Sequence, residues 1–200
     1  MANAIYFVDT AIPSDEKKRR KEKVHVAFDG NRVFRVKKLT ELDDAGEIYV
    51  DALFPKLYEE VLELLRRGAK VYLLRDTIKL KRLRVENNLK KSDENDAILL
   101  ARIPREKFRQ LTIEEMELEV KMRPLINKYE KIMRWKKRLK KLIKDGFNYN
   151  FKEVIRPMEA ERKRISKEII KQVSASPFMG RFIGGPVKCL VSVTALSWQS

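Results

Sequence analysis

The sequence predicts an α/β fold built on one mixed five-stranded sheet and followed by a long helical hairpin. Three observations carry this expectation. Two apolar runs, at residues 5–8 and 48–50, each close on an aspartate, as buried strands do when their carboxyl ends reach a cleft. Period-two alternation flanks the turn residues Asp29-Gly30-Asn31. After Pro104, apolar residues recur at heptad spacing from Leu118 to Ile169.

Ile5-Tyr6-Phe7-Val8-Asp9 reads as the first strand, and residues 10–22, with Pro13 and a basic run, read as a loop. Lys23-Val24-His25-Val26-Ala27-Phe28 and Arg32-Val33-Phe34-Arg35-Val36 alternate on either side of Asp29-Gly30-Asn31 and predict a β-hairpin. In that alternation His25 falls opposite Val24, Val26 and Phe28, on the side expected to face solvent. Glu47-Ile48-Tyr49-Val50-Asp51 is the fourth strand. A helix is expected from about Pro55 to Arg67, with Pro55 in its first turn, Leu57, Val61, Leu64 and Leu65 on its apolar face and Gly68 at C′. Lys70-Val71-Tyr72-Leu73-Leu74 reads as the fifth strand, parallel to the fourth through a right-handed crossover. The basic stretch 79–84 then leads into a helix for which Ser92 is the expected N-cap.

Thr112-Ile113-Glu114-Glu115 has the capping-box pattern of a helix start. Leu118, Met122, Leu125, Tyr129, Ile132, Leu139 and Ile143 follow as a heptad seam with Lys136 in the missing site. Asp145-Gly146-Phe147-Asn148-Tyr149-Asn150 breaks this helix, and Phe151, Ile155, Met158, Ile165 and Ile169 resume the spacing with Arg162 in the seam. The pattern predicts a helical hairpin or coiled-coil arm through which copies of the chain self-associate. Pro124 and Pro157 fit first-turn positions or kinks, so each helix is expected in two segments. Gly180, Gly184, Gly185 and Pro186 precede an apolar tail, which reads as the opening of a further unit. The 15 residues after Gly185 are too few for a domain of about 50 or more, which suggests truncation or a frameshift. The expected organisation is therefore a domain at 1–104, an arm at 105–173 and a partial segment at 174–200.

Of the 200 residues, 37% are charged, and the net charge is +16. That balance favours a polyanionic partner such as nucleic acid. The excess is local: residues 121–171 carry 18 Lys and Arg against 6 Asp and Glu, whereas residues 1–120 carry 25 against 23. The back half is a cationic arm behind a balanced front half. A single cysteine, Cys189, excludes an intramolecular disulfide and a cysteine-based zinc site, and His25 is the sole histidine. Any bound metal is expected to be oxygen-ligated. No apolar run reaches the ~18–20 residues of a membrane span, and no secretory leader pattern opens the chain, so a cytoplasmic protein without membrane contact is expected.

The acidic residues supply the chemistry. With Ser92 as N-cap, Asp93 and Asp96 occupy the first helical turn on one face, where acids ordinarily complement the helix dipole. Asp9 and Asp51 each end a strand. If those strands are neighbours, the two acids meet, and a helix crossing nearby can add its pair. Four carboxylates in one cleft repel each other unless Mg²⁺ or Mn²⁺ neutralises them, and two such ions can support phosphodiester cleavage.

At this point the chain resembles a known family. The order of elements, the strand ends at Asp9 and Asp51, and Lys91-Ser92-Asp93-Glu94-Asn95-Asp96-Ala97 resemble the RuvC-like nuclease domain, an RNase-H-like fold, of transposases of the insertion-sequence 110 family. The arm is similar to that family's coiled-coil segment, and the likeness covers roughly residues 5–175. The resemblance implies an acidic tetrad of Asp9, Asp51, Asp93 and Asp96 that binds Mg²⁺ or Mn²⁺. It also implies DNA cleavage and strand transfer directed by a structured guide RNA. The family usually carries Glu at the second position, and Asp51 is shorter by one carbon–carbon bond, about 1.5 Å. In the family a C-terminal domain contributes a catalytic serine; Ser192, Ser197 and Ser200 lack a matching context, and none is assigned that role.

Arg134, Lys136, Lys137, Arg138, Lys140 and Lys141 are the residues expected to meet phosphate, on a DNA or RNA backbone alike. Trp135 at helical spacing is expected to pack in or beside the seam, and Phe147-Asn148-Tyr149 offers stacking surface. Asp29, Asp43 and Asp44 read as turn and loop residues, and Asp76 ranks as a substitute ligand below the four named acids. The rival readings are a non-catalytic nucleic-acid-binding remnant or domesticated module, and an arm that mediates only protein association.

Overall fold

A sheet with both faces covered forms the front of the molecule. The computed structural model describes residues 4–11, 24–147 and 150–174. The expectations for residues 12–22, for Asn148 and Tyr149, and for the tail with Cys189, Ser192, Ser197 and Ser200 lie outside the described residues. The strands are β1 (Ala4–Asp9), β2 (His25–Phe28), β3 (Val33–Val36), β4 (Ala45–Val50), β5 (Lys70–Leu74) and β6 (Phe108–Gln110), in the spatial order β3-β2-β1-β4-β5-β6. β1 pairs parallel with β4 and β4 parallel with β5, while β2, β3 and β6 join their neighbours antiparallel. The sheet is mixed as expected, with six strands rather than five. The additional β6 has three residues, too few to carry a periodicity, and enters the sheet through the buried Phe108 opposite Leu74.

The helices are α1 (Tyr58–Arg66), α2 (Ile78–Glu86), α3 (Asp93–Ala101), α4 (Ile113–Lys144) and α5 (Lys152–Ser174). A short 3-10 turn at Pro55–Leu57 leads into α1. Gly68, at φ +93, ends α1: its N–H donates to the Leu65 carbonyl at 3.0 Å and that of Ala69 to Leu64 at 3.1 Å. One face of the sheet carries Tyr6, Val8, Ile48, Val50 and Val71 and packs against Val61, Leu64 and Leu65 of α1 and Met116 of α4. The other carries Phe7, Tyr49 and Tyr72, stacked ring on ring at 5.1 and 4.7 Å, beneath Leu80 of α2 and Leu99 and Leu100 of α3. Because successive side chains of a strand alternate between faces, Asp9 and Asp51 point to this second face, the one α2 and α3 cover.

The chain divides between Val120 and Lys121 into two compact units, the first holding the sheet, α1–α3 and the start of α4. Thr112 caps α4 by accepting the Glu115 N–H at 3.2 Å. The reciprocal half of the expected capping box is not made, since the Glu115 carboxylate is held by Arg109 at 2.7 and 2.9 Å.

In the second unit, α4 and α5 are linked by ion pairs. Lys128 Nζ lies 2.6 Å from Glu161 Oε1, and Lys136 pairs with Glu159, so as one helix ascends the other descends. Arg162 Nε also bonds Glu159, at 2.9 Å. The two cations that interrupt the apolar pattern thus converge on one carboxylate. Met122, Ile126, Ile132, Ile165, Ile169 and Val173 are buried. Pro124 and Pro157 lie inside continuous helices, contrary to the two-segment expectation. Both prolines are exposed, so the carbonyls they leave without an N–H partner can be satisfied by water. Among the described residues no helix is long and apolar enough to cross a membrane.

Candidate functional site

The parallel β1–β4 register sets Val8 opposite Val50, so the next residues, Asp9 and Asp51, sit side by side at the carboxyl ends of their strands. α3 crosses the same face, against β1 and β2. Its start is fixed by Ser92, whose hydroxyl accepts the Asn95 N–H at 3.1 Å, as the sequence predicts. This cap turns Asp93 and Asp96 toward the strand ends. All four aspartates line one cleft of about 610 Å³.

Their surroundings differ. Oδ1 of Asp51 accepts the Thr10 N–H at 2.8 Å and lies 2.9 Å from the Thr10 hydroxyl, which also reaches the Ala52 carbonyl at 2.8 Å. Burial raises the Asp51 pKa despite these donors. Asp9 is pushed up to about 8, first by burial, then by the negative charge of Asp51, then by Asp96 and Asp93 and by hydrogen bonding to Asp51. Asp96, 5% exposed, is also raised, by burial that the nearby Arg84 only partly offsets. Burial is the first cause of the rise at all three of these carboxyls.

Arg84 of α2 reaches into this cleft, its Nε 3.1 Å from Oδ1 of Asp96. Among the described residues, no three carboxylate, imidazole or thiolate groups stand together as a ready-made cation cage. With Asp96 facing a guanidinium and Asp51 fastened to Thr10, the acids share a cleft without converging on one point. The donor set is all-carboxylate, which suits a hard divalent cation.

Three residues beside the acids are not marked out by the sequence. Thr10, immediately after the strand-end acid, orients Asp51; a hydroxyl residue in that position is a signal that could have been used. Arg84 sits in a basic run with nothing to set it apart from Lys81 or Arg82. His25 is 2% exposed, not on a solvent face, because β2 is covered on both sides and His25 shares the side of the core residue Ala27. Its Nδ1 accepts the Ala11 N–H at 3.0 Å, and burial lowers its pKa, so the imidazole is neutral and braces the chain just beyond Thr10.

The ranked-down acids behave as turn residues. Asp76 accepts the Ile78 N–H at 2.9 Å, Asp29 those of Asn31 and Arg32, and Asp44 the Tyr6 hydroxyl. On the second unit Arg134, Lys137, Arg138, Lys140 and Lys141 are exposed, while Lys136 is turned to Glu159. Trp135 is 54% exposed, so of the two places expected for it, in or beside the seam, it is not buried in the seam, and Phe147 is 62% exposed. No protein-family model matches the chain, and no curated protein matches it either.

Proposed function

We propose that the chain is a transposase-like protein of the insertion-sequence 110 type, with a RuvC-like nuclease domain, that cleaves and transfers DNA strands with Mg²⁺ or Mn²⁺. One observation carries the reading: two adjacent parallel strand ends and one capped helix bring Asp9, Asp51, Asp93 and Asp96 into a single cleft. Those four residues would hold the cation. When bound, it would neutralise the carboxylates and stabilise charge developing on phosphate oxygens. Thr10 fixes the orientation of Asp51, and Asp9 keeps a proton up to about pH 8 unless positive charge displaces it. Arg134, Lys137, Arg138, Lys140 and Lys141 would hold the backbone of DNA or of a guide RNA, and the helical pair would serve as a coiled-coil arm for self-association.

Nicking of supercoiled DNA with Mg²⁺ or Mn²⁺, by wild type, Asp93→Asn and Asp96→Asn, tests the reading. Activity lost in both variants is expected, and equal activity in all three proteins refutes the assigned pair. A second reading, a nucleic-acid-binding module without chemistry, draws on the Arg84 guanidinium beside Asp96. It expects salt-sensitive binding that Mg²⁺ leaves unchanged and no nicking by any of the three.

A further inference from the structure

The cleft also has a cationic wall. Lys81 and Arg84 lie one turn apart on α2, Lys91 immediately precedes the Ser92 cap, and all three line the same cleft as the aspartates. Lys81 and Lys91 are exposed, whereas the Arg84 side chain is 17% exposed and directed inward. Although Arg84 Nε stands 3.1 Å from Asp96 Oδ1, the two are not aligned as donor and acceptor, and neither atom has a hydrogen-bond partner among the described residues. Buried polar atoms are nearly always paired. This ion pair, made without a hydrogen bond, leaves one donor on Arg84 and one acceptor on Asp96 that other groups can satisfy. The complement of a guanidinium is an oxyanion, with phosphate geometry especially well matched.

We infer that this wall seats the phosphodiester backbone of a nucleic-acid strand, with Arg84 turning from Asp96 to a phosphate when the strand occupies the cleft. The inference rests on the proposed function for the identity of the occupant but requires no cleavage. Lys81 and Arg84, at i and i+3, present two cations side by side, and Lys91 extends the row onto the entrance of α3. In the free chain Asp96 holds the guanidinium back, which links the acidic floor to the basic wall.

The test is fluorescence anisotropy with a labelled single-stranded DNA and an RNA of the same sequence, in EDTA and at low salt. It uses the full chain with the exposed arm cations Arg134, Lys137, Arg138, Lys140 and Lys141 changed to Ala, so that arm binding does not mask the cleft. Arg84→Gln and Lys81→Gln are each expected to weaken binding several-fold for at least one of the two probes. Asp96→Asn is expected to tighten it, with a gain at least threefold smaller when Arg84→Gln is also present, a coupling that loss of local structure does not produce. An equal gain in both backgrounds overturns the inference, as does unchanged binding of both probes by Lys81→Gln, an exposed position that keeps the test independent of folding. Absence of nicking by wild type, Asp93→Asn and Asp96→Asn alike would sink the nuclease reading and leave this binding cycle standing, so the two failures are distinguishable.

Discussion

Replacing Asp9 by Asn removes a charge that the fold accommodates poorly, and the consequence is a stability gain confined to one pH range. The Asp9 carboxyl rises from its ordinary 3.8 to about 8 in the folded protein. A folded-state pKa above the unfolded one means that the native protein binds the extra proton. The stabilisation from that proton is fully present below about pH 4 and is lost as pH rises through 8. Four pH units correspond to a ceiling of about 5 kcal/mol. Because the cleft is open and the proton is shared with Asp51, about 2–3 kcal/mol is the working figure. Asp9→Asn, which keeps the shape and lacks the charge, should match wild type at pH 4 and exceed it by that amount at pH 8. Urea unfolding of both proteins in EDTA at pH 4, 6 and 8 measures the difference; groups remote from the cleft titrate alike in both proteins and cancel, whereas the acids beside Asp9 lose a charged neighbour in the variant and are part of the measured effect. Repeating the pH 8 series with Mg²⁺ should restore much of the wild-type deficit and do less for the variant. Parallel stability profiles for the two proteins between pH 4 and 8 would refute the account of a carboxyl held protonated by burial and by its acidic neighbours.

Other outcomes follow from the same geometry. Thr10→Val removes the hydroxyl beside Asp51 and should cost about 1–2 kcal/mol in denaturant unfolding, with nicking reduced more than stability predicts. Leu99→Ala, at a fully buried position between α3 and the aromatic stack, should cost about 2–5 kcal/mol in the same assay. Changing the five exposed arm cations to Ala should flatten the dependence of log K on log salt by about 0.7–0.9 for each phosphate the arm no longer neutralises, read by anisotropy across a salt series. Lys136→Ala should move that slope little and instead destabilise the helical pair, since its ammonium is engaged by Glu159.

What could be read from the sequence was local and periodic. Gly68 closing a helix, Ser92 opening another and the Asp29-Gly30-Asn31 turn each declare themselves through backbone chemistry that needs no tertiary context. The acids were legible because an apolar run ending in Asp has one natural place in a parallel sheet, at the strand's carboxyl end. α2 was not legible. In Ile78-Lys79-Leu80-Lys81-Arg82-Leu83-Arg84-Val85-Glu86 the apolar positions do not keep helical spacing, and only Leu80 is buried, so the segment owes its helix to the sheet face it covers. With α2 unseen, Arg84 had no address. His25 was misplaced for a related reason: alternation identifies a strand's two faces but not whether both are covered. Trp135 was expected in or beside the seam because spacing does not distinguish a buried position from a flanking one.

The margins of the sheet bear on assembly. Among the described residues it ends at β3, four residues with the exposed Arg35, and at β6, three residues with Arg109 and Gln110. Strands this short offer few free backbone groups in line, and a second chain adding its own strand would gain little from them. Lateral growth of the sheet into fibrils or strand-swapped pairs is therefore disfavoured at both of these margins.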